Sequence, residues 1–200
     1  SLQFGLGAIN PVIEMYIETL VDAGFSGGVW GWLASWAGQA DEPLEERIEL
    51  LATSVSFGVM AVANLASLPL WGRYGDSVGH GRALAQCGVL AIIALIVQAA
   101  TPLLSVLLFG RFLMGIAMAG IGPLAFGIAA GAASADRRGG AFGVVFSART
   151  FAVALGGASG GALYTVLGAR GLMLASSVLV FGTLAFFRRA SARAAARGVA

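Results

Sequence analysis

Residues 70–84 read LWGRYGDSVGHGRAL and lie between two long apolar runs. Gly72, Gly75 and Gly79 surround a lone Asp76, with Arg73 and Arg82 on either side. Glycine spacing of this kind marks either a loop that cradles a phosphate or a tight turn between two membrane helices. A phosphate loop follows a strand, opens a helix and carries a Lys followed by Ser or Thr. Here both flanks have the length and apolarity of membrane helices, and none of the 200 residues is lysine. The phosphate alternative fails on context. The stretch is a turn at one face of a membrane, in which glycine permits tight backbone geometry.

Composition agrees. Hydrophobic residues make up 58% of the chain and charged residues 11%, and the mean hydropathy is +0.87. A soluble domain carries about 25% charged residues, so most of this chain is expected in lipid rather than in an apolar soluble bundle. Thirty glycines fit close helix packing in a membrane. A net charge of +2 from scattered arginines does not suggest a nucleic-acid footprint. Cys87 is alone, so the chain holds neither an internal disulfide nor a cysteine metal cluster. Position 1 is Ser and no charged segment precedes the apolar run, so the start is read as that of a partial chain and not as a signal peptide.

A membrane span takes about 20 helical residues. The spacing predicts an all-α membrane protein of six spans, at 2–23, 49–71, 83–101, 103–130, 141–166 and 170–187. Pro102 suits the first turn of the fourth. Residues 25–48 carry Trp30, Trp32 and Trp36, then Asp41, Glu42, Glu45 and Glu46. Tryptophan favours the headgroup layer, so an interfacial segment and outer loop are expected, with a plain loop holding buried tryptophans as the alternative. Arg73, Arg82, Arg137, Arg138, Arg188, Arg189, Arg193 and Arg197 would flank one membrane face; Arg47 and Arg170 flank the other. This bias places both ends on the cytoplasmic side, and the expected location is a bacterial inner membrane. The tail from 188 to 200 is either a basic helix along anionic headgroups or a disordered solubilising end.

With the segments laid out, the stretch at 72–84 resembles the signature loop of the major facilitator superfamily, which joins the second and third helices of each six-helix half. Gly72, Asp76, Gly79 and Leu84 match it, whereas Ser77 and His80-Gly81 stand where basic residues are usual. That weaker pattern is similar to the copy in a second half. GRFLMGIAMAGIGPLA (110–125) resembles the fourth helix of a half, with Arg111 at its arginine, and RRGGAFGVVFSART (137–150) resembles the start of the fifth. ALGGASGGAL (154–163) is similar to the glycine-rich stretch of exporters, with Gly157 where proline is usual. INPVIEMYIETL (9–20) resembles the seventh helix of twelve-helix drug:proton antiporters. The resemblance implies the C-terminal half of such a transporter, with the N-terminal half as the other assignment. Its implied partners are a second six-helix bundle, a small-molecule substrate, protons and the lipid bilayer.

Charge inside a bilayer costs about 2.5–3.5 kcal/mol on insertion scales and marks a functional candidate. Asn10, Glu14, Glu18 and Asp22 are spaced by four along one face of the first span. Glu14 falls about 18 Å along the axis from Leu2, within the hydrocarbon layer. A carboxyl lining a water-filled cavity there can exchange a proton during transport, so Glu14 is the candidate for coupling. A static ion pair with Arg111 or Arg149 is the structural alternative. Arg111 and Arg149 lie inside spans, where snorkelling is their plainer explanation. Pro11 is expected to bend the first span, and Gly122-Pro123 to kink or unwind the fourth. Gly156 with Gly160 and Gly157 with Gly161 form two offset pairs suited to close helix contact, either as packing or as a rocking surface. Asp76 is expected to accept hydrogen bonds at the start of the 141–166 helix and latch the cytoplasmic face.

No nucleophile–base or metal constellation is present, so neither an enzyme nor a cofactor protein is expected. Proton-coupled efflux by alternating access is the leading function. Uptake of a sugar or metabolite, and a non-transporting six-helix scaffold or assembly subunit, are the alternatives.

Overall fold

The computed structural model describes residues 8–9, 12–13, 15–20, 44–100 and 103–196, with the backbone alone for 44–46 and 191–196. Residues 8–9, 12–13 and 15–20 are helical. The remaining helices are α1 (Leu44–Val78), α2 (His80–Ala100), α3 (Leu104–Ala132) and α4 (Arg138–Ala196), with a single 3-10 turn at Ala135–Arg137. The expected interfacial segment and its three tryptophans lie outside the described residues.

α3 is the central element, packed extensively against both α1 and α2. Small residues make that possible, since glycines let backbones approach where a side chain would hold them apart. Gly110 packs on Gln98, Gly115 on the Met60 carbonyl, Gly120 on the Cys87 sulfur and Gly127 on His80. A core of Ile13, Ile17, Ile48, Leu95, Leu104, Leu107, Met114 and Met173 gathers around the N-terminal half of α3. Ala83, Cys87 and Leu124 form a second cluster near the arginine-rich end.

Among the described residues, four helices are long and apolar enough to cross a membrane, against the six spans expected. The first expected span falls largely outside the described residues. The fifth and sixth are joined in α4, whose backbone leaves the helical region only at Gly168 (φ 65°, ψ 174°). Neighbours show what happens there. Phe142 stacks edge-on to Phe126, 5.4 Å between centroids, and Arg149 lies beside Gly122, so the first arm runs antiparallel to α3. Gly81 meets Phe187 and Gly88 meets Leu184, so the second arm runs antiparallel to α2. As α2 and α3 are themselves antiparallel, the two arms run in opposite directions and the chain reverses at Gly168. That residue falls between the expected ends of the fifth and sixth spans, at 166 and 170.

The turn at 72–82 is shorter than expected. α1 continues through the glycines to Val78, and one residue, Gly79, separates it from α2. Gly79 adopts φ 94°. Its amide donates to the Gly75 carbonyl at 2.9 Å, while its own carbonyl accepts from Arg82 and Ala83 at 3.1 Å. Gly72 and Gly75 remain helical because nothing removes their hydrogen bonds. α3 likewise runs unbroken through Gly122 and Pro123, so the expected unwinding is not seen. The tail is helical as far as Ala196, continuing the second arm.

Candidate functional site

α1 and α3 meet along a seam that carries polar groups into the apolar bundle. From α1, Asn64 Nδ2 donates to the Gly115 carbonyl at 3.3 Å. Seven residues further along α1, about two turns, Trp71 Nε1 donates to the Ile116 carbonyl at 2.7 Å. The Trp71 ring also covers Gly120. These bonds tie α1 to α3 at fixed register, because a buried polar group without a partner is costly in lipid. Neither residue was singled out by sequence. A lone Asn in an apolar run was the available signal, and the recurrence of glycine at 110, 115 and 120 was a second.

Toward the N-terminal end of α3 in the seam lies Arg111, only 1% exposed. Its Nη1 approaches Met60 Sδ at 3.4 Å, and its guanidinium lies 5.3 Å from the centre of the Phe57 ring. The cation–π contact and the soft sulfur place the charge among polarisable groups rather than bare hydrocarbon. Gln98 and Ser56 are fully buried as well. Gln98 donates to its own helix at the Ala94 carbonyl, 3.0 Å. Arg111 is therefore enclosed in the bundle and does not snorkel to an interface.

Arg149 belongs to a different layer. It is exposed on the first arm of α4, with Nη1 3.5 Å from the position of a Cβ on Gly122. Eleven residues of α3 separate that level from Arg111, about 16 Å along the axis, so the two arginines do not share a site. Glu18 is exposed. Asn10, Pro11 and Glu14 lie outside the described residues. Near Glu18, Arg170 Nε donates to the Tyr16 hydroxyl at 3.4 Å, linking the start of the second arm to the first helical segment.

The two glycine pairs divide by face. Gly156 and Gly160 are buried, and Gly160 packs on the Ala8 backbone. Gly157 and Gly161 are exposed, and nothing lies within 4 Å of a methyl group built on Gly161. The first pair serves contact inside the bundle, and the second faces outward with Ser147, Thr150 and Phe151 on the same arm.

The loop charges sit at the arginine-rich end. Asp76 is 76% exposed at its side chain and pairs with His80 Nε2 at 3.6 Å when the imidazole is protonated. The expected latch to the start of α4 is not made: among the described residues no hydrogen bond from α4 reaches Asp76. Arg73 and Arg82 are exposed. At the next turn, the Ser134 hydroxyl, together with backbone and the Arg137 side chain, holds the Asp136 carboxyl below its usual range. Among the described residues no group of His, Cys, Asp and Glu gathers as a metal site.

An all-helical bundle of long apolar helices, carrying a buried cation and a basic end, is an integral membrane protein. A model of the Major Facilitator Superfamily matches residues 2–199, and the chain belongs to that superfamily, a family of membrane transporters. No curated protein matches the chain.

Proposed function

We propose that the chain is one six-span half of a proton-coupled exporter, which works by alternating access against an N-terminal half or a second six-helix bundle. The buried guanidinium of Arg111 carries this proposal. A cation enclosed in a membrane bundle is expensive to keep, and in a transporter family it finds its use beside a substrate or proton route. The opposed arms of α4, with the first helical segment beside them, supply the alternating directions that six crossings require. Glu14 is the proposed proton carrier, and the exposed face of the first arm of α4 is the proposed wall of the central cavity. The arginine-rich end faces the cytoplasm in this account. The substrate is a small amphipathic molecule.

Transport by the complete protein in proteoliposomes tests this, with an imposed pH gradient and a fluorescent lipophilic cation as probe. Wild type moves the probe against its gradient when the proton gradient is present. Glu14→Gln loses uphill movement while retaining a monodisperse folded state. Unchanged rates and unchanged pH dependence in Glu14→Gln would remove the coupling role, and no gradient-driven movement in wild type would remove the exporter reading.

A further inference from the structure

Where α2 begins and α4 ends, a cleft of about 470 Å³ opens between Gly81, Arg82, Ala85, Gln86, Phe187 and Arg188. Two guanidiniums and one amide line it, and no carboxylate does. It sits on the side of α2 facing away from α3, since the face α2 turns to α3 carries Cys87 against Gly120 and His80 against Gly127. Exposed positions of the same helix up to Ile96 are Arg82, Gln86, Val89, Ile93 and Ile96. Their steps of four, three, four and three residues keep them in one stripe. That stripe changes from cationic to apolar in about two turns. Val89 and Ile93 fall about 10 and 16 Å along the axis from Arg82, and one leaflet of hydrocarbon is about 15 Å deep. On the facing arm, Phe187 meets Gly81 and Leu184 meets Gly88, adding apolar surface between the two helices.

Guanidinium groups match phosphate oxygens in paired hydrogen bonds. The geometry points to a binding site for an anionic phospholipid: its phosphate lies between Arg82 and Arg188 with Gln86 at hand, and its acyl chains follow Val89 and Ile93. This site is separate from the proposed transport route, because it opens on the outer wall of the bundle, across α2 from the seam that holds Arg111. It requires only that the chain lies in a membrane, so it stands or falls independently of proton coupling. The lipid would strap the start of α2 to the end of α4 at the level of the Gly79 turn.

Native mass spectrometry of the full chain, delipidated in detergent, tests the site. Phosphatidylglycerol and phosphatidylcholine with identical acyl chains are added back in equal amounts. Wild type retains phosphatidylglycerol on the order of ten times better. Arg82→Gln with Arg188→Gln reduces that preference several-fold, and the single Arg188→Gln, at an exposed position, carries the same test if the double variant elutes as aggregate. Arg189→Gln removes one charge next door without touching the cleft and leaves the preference intact. Equal losses from Arg188→Gln and Arg189→Gln would reduce the effect to diffuse surface charge and overturn the site. Absence of any preference in wild type would do the same. Complete displacement of the lipid by excess glycerol phosphate would overturn the lipid assignment in favour of a soluble phosphate.

Discussion

At residue 79 the backbone takes a conformation that any side chain makes expensive. Its φ of 94° lies where L residues meet their own carbonyl, at a cost of roughly 1–2 kcal/mol. Gly72, seven residues earlier and part of the same motif, is helical with open space around it. The two glycines therefore answer substitution in opposite ways. Gly79→Ala is expected to lower the melting temperature of the purified protein by an amount equivalent to about 1–2 kcal/mol. Gly72→Ala is expected to raise it, since alanine gains about 0.5–1 kcal/mol over glycine within a helix. Equal responses would mean that the motif's glycines are kept for something other than backbone conformation. Asp76 follows a third logic. Its exposed pairing with His80 contributes under about 1 kcal/mol, so Asp76→Asn is expected to fold and elute normally. Its transport rate in proteoliposomes is nevertheless expected to fall, because the substitution removes the charge that pairs with His80 beside the Gly79 turn. Loss of expression instead would assign Asp76 a purely structural part in the turn.

Between helices, the decisive contacts are backbone against backbone. A methyl group on Gly115 would run into the Met60 carbonyl, which belongs to a helix and has nowhere to go. Overpacking of this kind costs typically 1–3 kcal/mol, so Gly115→Ala should lower the melting temperature of the detergent-solubilised protein. Gly131, also in α3 but with open surroundings, should tolerate alanine without loss. Much of this scale was legible beforehand. The expected spans at 83–101 and 103–130 overlap α2 (His80–Ala100) and α3 (Leu104–Ala132), and the reversal at Gly168 falls in the expected gap between 166 and 170. Other features were hidden for physical reasons. Glycine is compatible with helix as well as turn, so the extension of α1 through Gly72 and Gly75 depends on hydrogen bonds that no spacing reveals. Pro123 removes one backbone bond, yet packing of Leu124 and Gly127 against α2 holds α3 helical on both sides. Asn64 and Trp71 gain their meaning only from the carbonyls they meet on α3.

Across the whole molecule, the exposed surface is of two kinds that composition alone does not separate. The α2 stripe from Val89 to Ile96 is uniformly apolar, as a lipid-facing wall must be. The first arm of α4 instead exposes Ser147, Arg149 and Thr150 among Phe146, Phe151 and Leu155. A polar stripe facing acyl chains would be penalised at each of those positions, so contact of this face with water or a second bundle is the expectation to test. Cysteine labelling separates the two cases cleanly, because the native Cys87 is buried between Gly120 and the core. A thiol reacts as thiolate, a form suppressed in apolar surroundings. In membranes containing the complete protein, Thr150→Cys is therefore expected to react with a water-soluble maleimide on the order of ten times faster than Ile93→Cys. Substrate or a changed proton gradient should alter the rate at Thr150 and leave that at Ile93 unmoved, since only the first would line a route that opens and closes. Matching rates at the two positions, insensitive to the gradient, would place the first arm of α4 against lipid like the α2 stripe and leave the bundle without an aqueous face on α4.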